Sequence, residues 1–462
     1  MAVVSSGGDG GAATSASASA GREAPPASLT LSDAMELAVG LHEQGYLEAA
    51  SELYERVLAA EPDHADALHL HGLSLHQQGR HDDALVLLGR AVARAPANAD
   101  ARNNLGNMLL GAGRLAEAEA EYRAVLELRP DFAGAHANLG VTLRRRGDAP
   151  GAEVAFRRAL ALDPGHGAAY HNLGSLMRDA GRTGEALTAY QKALALMPYD
   201  GESYRRVGAT LYTLGRVSDA REIYERWLAL EPGSAVARHM VAACSGREVP
   251  IRASDEFVER TFDSFAASFD VVLERLHYQA PALVAAAISA ALGPPEPTLE
   301  VLDAGAGTGL CGPLLRPFAR RLVGIDLSGS MLAKAQERAA YDELQTAELT
   351  AYLRAHADAF DLIASADTLV YFGDLSEVLA AASASLRAGG HLVFTVERAE
   401  DEPPIGYRLN PHGRYSHGQP HVQMALTAAG LSPVAINRGH LRIENQAPVD
   451  GLVVTARKAP PR

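Results

Sequence analysis

The chain has 462 residues, 47% of them hydrophobic, and a formal net charge of −14. That length holds two ordinary domains with filled cores. The acidity argues against nonspecific binding to nucleic acid, and the two cysteines, Cys244 and Cys311, build neither a disulfide framework nor a zinc site and suit a reducing compartment.

Residues 1–28, rich in Gly, Ala and Ser, offer almost nothing large enough to bury and read as a disordered tail. They lack the basic start and long apolar core of a secretion signal. A run such as VAAAISAAL (284–292) is too short to span a bilayer, so no membrane span is expected and the reading is cytoplasmic.

From residue 29 the chain keeps time. Pro62, Pro96, Pro130, Pro164, Pro198 and Pro232 stand 34 residues apart, and Gly45, Gly79, Gly113, Gly147, Gly181 and Gly215 keep the same interval. Each unit reads as two helices, with the glycine permitting the turn between them and the proline preceding the next unit. Small residues recur where helices must approach, at Gly72, Gly106, Gly140, Gly174 and Gly208. Large ones recur at Tyr54, Leu88, Tyr122, Phe156, Tyr190 and Tyr224 and are expected to fill the space between hairpins. Over residues 30–232 the pattern resembles six tetratricopeptide repeats. SAVARHMVAAC is expected to close them, giving a domain over 29–245. Asn104, Asn138 and Asn172 also recur at 34. The resemblance places them on the concave face, where their amides would grip an extended peptide or a protein partner; the alternative is hydrogen bonding between repeats.

A different kind of glycine loop follows. LEVLDA (299–304) reads as a buried strand running into Gly305-Ala306-Gly307-Thr308-Gly309. A nicotinamide loop would place its third glycine at position 310, which is Leu. The GxGxG spacing after Asp303 instead resembles the first motif of class I methyltransferases, whose cofactor is S-adenosylmethionine. RLVGID (321–326) reads as a second strand ending in Asp326, a carboxylate placed for ribose hydroxyls, and LSGSMLAKAQER as a helix carrying Leu327 and Met331. A third strand, YDELQ, leads to Glu348, and a fourth (361–365) leaves Ala366 and Asp367 at its carboxyl end; HLVFTVE is the fifth. The resemblance implies an α/β Rossmann-like domain with a mostly parallel seven-stranded sheet. It also implies that Asp303, Gly305, Ala306, Gly307, Gly309, Asp326, Leu327, Met331, Glu348, Ala366 and Asp367 surround the cofactor.

Two flanks complete the expected domain. ERTFDSFAASFDVVLERLHY (259–278), within a leading segment 246–298, resembles the lid helices of small-molecule methyltransferases, with Phe262, Phe265, Phe269 and Tyr278 over the site. Within the core 299–462, the segment 406–430 crowds polar groups together: Arg408, Arg414 and Tyr415 are candidates to hold an acceptor. His417, then His412, then Tyr371 are candidates for a general base. No metal is required. The whole is similar to bacterial tetratricopeptide-repeat methyltransferases. That implies methyl transfer to an unidentified acceptor, with repeats that recruit a protein partner or substrate. Two alternatives are a small-molecule methyltransferase whose repeats serve assembly, and a peptide-binding scaffold with a vestigial cofactor fold.

Overall fold

The computed structural model describes residues 30–263, 266–444 and 447–459; the expected tail (1–28) and the lid candidate Phe265 lie outside the described residues. The chain divides into two compact units, 1–164 and 165–462.

The first unit is four helical hairpins. They are α1 (Leu31–Glu43) with α2 (Leu47–Ala60), α3 (Ala65–Gln77) with α4 (His81–Arg94), α5 (Ala99–Gly111) with α6 (Leu115–Leu128), and α7 (Ala133–Arg145) with α8 (Ala149–Leu162). Thr30 opens α1 with a capping box shared with Asp33. The periodic residues pair at a fixed offset. A Cβ on Gly106 would lie 2.8 Å from the Tyr122 ring, and one on Gly140 would lie 2.7 Å from the Phe156 ring. Each missing side chain is the space its aromatic partner occupies. The turn glycines all take positive φ, between 73° and 88° across the six repeats, a region closed to most side chains.

The second unit continues with α9 (Gly167–Asp179) and α10 (Thr183–Leu196), α11 (Gly201–Thr213) and α12 (Val217–Leu230), then the closing helix α13 (Ala235–Ser245), capped by Ser234. The leading segment is broken, not one helix: α14 (Asp255–Asp263), a 3-10 turn (Ala266–Ser268) and α15 (Phe269–Arg275), before α16 (Ala280–Leu292).

The sheet follows. Strands β1 (Leu299–Ala304), β2 (Ala319–Asp326), β3 (Glu343–Thr346), β4 (Phe360–Ser365) and β5 (Leu386–Arg398) are parallel in the order β3-β2-β1-β4-β5. The helix after the glycine loop, α17 (Gly312–Leu315), is only four residues long and passes into a 3-10 turn (Arg316–Phe318) at Pro317, which has no backbone donor to continue the α-helix. The other crossovers are α18 (Gly329–Glu337), α19 (Leu349–Ala355) and α20 (Ser376–Ser385). Two three-residue strands, β6 (Tyr407–Leu409) and β7 (Tyr415–His417), form a hairpin whose second strand pairs with the end of β5. After α21 (Gln419–Ala428), β8 (Leu431–Glu444) and β9 (Ala447–Lys458) complete the sheet, β9 antiparallel to both β5 and β8. Seven strands thus make the expected sheet, and the β6–β7 hairpin is an addition at its carboxyl edge.

Alternation along the strands fills both faces. Leu302, Val323, Ile325 and Ile363 pack under α19, α20 and α21, while Val301, Leu322, Leu362 and Val393 pack with Val284 and Ile288 of α16. The polar ends of β1, β2, β4 and β5 are left at one edge, where an open α/β sheet carries its ligands.

Candidate active site

A cavity of about 310 Å³ opens at that edge. Its floor is the glycine loop. Gly305 (φ 84°) and Gly307 (φ 54°) line it, and a Cβ on Gly305 would fall 2.0 Å from Thr368 Oγ1. The loop is tied down by Gly305 N and Ala306 N, which donate to Ile325 O at 2.9 and 2.8 Å, and by Gly307 N, which donates to Asp326 Oδ2 at 2.9 Å. Asp326 also accepts from Ser328 N. Burial nonetheless raises its pKa against these hydrogen bonds. Gly309 is set back, packed toward Ala335 and Tyr341.

Asp303, the penultimate residue of β1, lies beneath the loop at 1% exposure. Tyr341 donates to its Oδ2 at 2.6 Å, while its Oδ1 is buried with no partner. Burial pushes this carboxyl up to about 7, the Tyr341 bond opposing and Asp326 adding to the rise. A buried acceptor without a donor beside a cradle made of glycine backbone is a seat for a cationic group. Leu327, Met331, Glu348, Ala366 and Asp367 also line the cavity. Glu348 does two jobs, since its carboxylate also caps α19 through Thr350 N and Ala351 N.

The leading segment is tied down at both of its Phe-Asp steps. Asp263 accepts from Ser328 Oγ at 2.5 Å, and Asp270 accepts from Thr308 Oγ1 and from Arg338. The preceding rings, Phe262 and Phe269, line the cavity 5.9 Å apart, and Phe262 meets Tyr371 edge-on at 5.5 Å. Val272, Leu273, Leu276 and Tyr278 continue this apolar wall.

A buried charge cluster backs another part of the wall. Arg442 donates to Asp367, Glu397 and Glu444, and Arg414 donates to Glu397 at 2.6 Å and to both oxygens of Glu444. Burial alone would raise Glu444, yet the two guanidiniums hold it down at about 2. Burial would lower Arg414, and Glu397 and Glu444 outweigh it, so the cation is held firmly. Asp367 sits at a positive φ of 54°, fixed by Thr395, whose hydroxyl accepts from Asp367 N and donates to its carboxylate. Asp367, Arg414, Arg442 and Glu444 reach the cavity wall; Glu397 stands behind them.

The structure redistributes the acid–base and acceptor candidates. His417 is fully buried on β7, its Nε2 donating to Gly373 O, and burial holds it down at about 4; it does not line the cavity. A three-residue strand gives no alternation from which its facing could be read. His412 likewise sits behind the charge cluster, with Nε2 3.5 Å from Glu397 and its pKa lowered to about 4 by burial and Arg414. Only Tyr371 of the three lines the cavity, and burial raises its hydroxyl to about 12. Among the acceptor candidates Arg414 is on the wall, whereas Arg408 pairs with Asp401 elsewhere and Tyr415 is a buried anchor donating to Pro250 O. Sequence reading missed Glu397 and Tyr341; a charged residue closing the apolar strand LVFTVE was the available signal for the first.

The three repeating asparagines use their amide donors within the array. Asn104 Nδ2 meets His69 Nε2 at 2.9 Å, Asn138 Nδ2 donates to Asn107 Oδ1 at 2.8 Å, and Asn172 Nδ2 donates to Ala168 O at 3.0 Å.

Comparison with known proteins gives two kinds of match. Residues 302–394 match a methyltransferase-domain family, and residues 36–99, 69–131, 131–198 and 177–244 match tetratricopeptide-repeat families. No curated protein sequence matches the chain. Among solved structures it is similar to PilW, a type IV pilus biogenesis factor (22% identity, TM-score 0.42, 44% of this chain and 94% of that one), and to PilF of Pseudomonas aeruginosa (19%, 0.41, 46% and 96%). It is also similar to a thermophilic tetratricopeptide protein of Thermus thermophilus (26%, 0.33, 40% and 100%).

Proposed function

We propose that this chain, which joins tetratricopeptide repeats to a methyltransferase domain, is an S-adenosylmethionine-dependent methyltransferase whose repeats recruit a protein partner or substrate. The observation that carries the cofactor is the unpartnered Oδ1 of buried Asp303 beneath a loop in which Gly305 leaves no room for a side chain. When bound, S-adenosylmethionine supplies a methyl group on a sulfonium whose thioether is a good leaving group. Asp303 and the backbone of Gly305 and Gly307 would hold its amino-acid portion, Asp326 the ribose hydroxyls, and Leu327, Met331 and Glu348 the adenine side.

The remaining residues position and dry the acceptor. Phe262, Phe269 and Tyr278 exclude water over the cavity. Arg414 has Nε and one terminal nitrogen committed to carboxylates, and its other terminal nitrogen has no partner among the described residues, leaving a donor for an oxygen of the acceptor. Tyr371 is the one predicted base at the wall, and its raised pKa suits holding a proton by hydrogen bond more than removing one. In this reading 29–245 recruit, 246–298 close the site and 299–462 hold the chemistry. The small apolar-walled cavity favours a small molecule or a single side chain as acceptor. No helix among the described residues is long and apolar enough to cross a membrane, and Cys244 and Cys311, which form no disulfide, fit a cytoplasmic setting.

Isothermal calorimetry of the full chain with S-adenosylmethionine and S-adenosylhomocysteine tests the reading. Binding of both at one site is expected, and a folded chain that binds neither overturns it.

A further inference from the structure

The acceptor end of the cavity is seated on the repeat array. Arg414 is carried by the turn 410–414 between β6 and β7, closed by Asn410 N donating to Arg414 O and Gly413 N donating to Asn410 O. The back of that turn rests on α13. His239 is buried there at 4% exposure and its Nε2 donates to Gly413 O at 2.9 Å. Gly413 has φ 90°, and a Cβ at this position would lie 3.1 Å from Met240 Sδ, so the turn lies flat against the helix. His239 is itself clamped by Phe257, stacked at 3.9 Å. A second contact comes from α11, where the Tyr212 ring meets His412 edge-on at 5.9 Å. Ala242 and Ala243 of α13 pack with Leu409 and Tyr415 to seal the joint.

From this geometry we infer that His239 and Tyr212 are positioning residues of the acceptor site: they hold the 410–414 turn so that Arg414 stays on the cavity wall, and the closing elements of the repeat array are a working part of the methyltransferase site. The inference rests on the functional reading above for the word acceptor, and on contacts alone for the positioning. Inside the turn Asn410 Nδ2 also donates to Arg414 O and Arg414 N to His412 Nδ1, and Glu397 and Glu444 hold the guanidinium; the seat on α13, where Cys244 Sγ adds a bond to Pro411 O, is what fixes the back of the turn. A scaffold that only tethered a partner would have no need of a buried histidine bond into a loop of the other fold.

His412 reports the state of the turn. It faces Arg414, Arg442, Glu397 and Glu444 from the sheet side and Tyr212 from α11, and it is neutral down to about pH 4 because water is kept out. The test uses the full-length chain with labelled histidine, His412 being assigned by the loss of its signal in His412→Asn. In His239→Leu the freed turn admits water, and the His412 titration midpoint rises by about one pH unit or more toward its ordinary value. His239→Gln, whose amide can donate to Gly413 O, keeps the midpoint of the unaltered chain. Affinity for S-adenosylhomocysteine changes less than about two-fold in both, because no cofactor-loop residue touches the turn. A folded His239→Leu chain with His412 unmoved overturns the positioning role, since a histidine serving only α13 would lower the melting temperature and nothing else. If His239→Leu fails to fold, Tyr212→Ala, at a partly exposed position, is judged by the same midpoint. Absence of S-adenosylhomocysteine binding in the unaltered chain would fell the functional reading while leaving the His412 result to decide the seat of the turn.

Discussion

Asp303 is a carboxylate that folding works against. Its pKa near 7 means the folded chain holds a proton that the unfolded chain releases at about pH 4, so this group's contribution to stability falls as pH rises between the two values. A cationic ligand reverses the preference, because it pairs with the ionised form. Affinity for S-adenosylmethionine is therefore expected to fall as pH drops below about 7, by up to about tenfold per pH unit, with protons released on binding near neutrality. Calorimetry in two buffers of different ionisation heat reads both. Asp326→Ala should weaken binding by ~1–3 kcal/mol through loss of charge-assisted bonds, and an unchanged dissociation constant would show that the ribose lies elsewhere. These two aspartates were legible in the sequence because each stands at the carboxyl end of a strand, beside a glycine or a helix cap, a local arrangement. The facing of His417 was not, because what decides it is Gly373 O, 44 residues away.

Helical hairpins behave as matched pairs of positions. Gly140→Ala would drive a methyl into the Phe156 ring, and the repeat should lose ~1–3 kcal/mol, as overpacked cores do, seen as a lower urea midpoint with cofactor affinity unchanged. The glycine and its large partner are 16 residues apart in five of the six repeats, the first carrying Ala38 instead, and that constancy is why the array could be read without a structure. The charge cluster had no such rhythm: Arg442 reaches Glu397 across 45 residues and Asp367 across 75. The leading segment is the third kind of element, short helices held by side chains. Asp270→Ala removes the acceptor of Thr308 and Arg338 and should weaken the docking of α15 by ~1–2 kcal/mol, read as faster proteolysis within 269–278. The asparagine column makes its own demand. With one amide N–H of each engaged inside the array, a bound peptide would be met through the carbonyl oxygen and the second N–H. Replacing Asn104, Asn138 and Asn172 together by alanine should abolish partner capture while the cooperative melt persists. Loss of the melt would assign the amides to packing alone.

At the scale of the molecule, the boundary drawn by composition and the boundary drawn by contacts differ. The sequence changes character after residue 245, where the 34-residue rhythm has stopped, yet the last repeats belong with the sheet in the unit 165–462. Periodicity reports how a repeat meets its neighbour and is silent on what meets the last one. A fragment of residues 165–462 is expected to melt in one transition and to bind S-adenosylhomocysteine within about three-fold of the full chain, measured by calorimetry.

The seat of Gly413 on α13 gives the array a polarity. Hairpins α3–α4 and α5–α6 each touch the hairpin before and the hairpin after, so an in-frame duplication of 34 residues there adds one more copy of a contact set that is already satisfied. The same duplication within 201–245 would slide His239 out from under the turn it supports. The number of early modules is thus expected to be changeable without disturbing the seat of Gly413, whereas the length of chain between α11 and that turn is not.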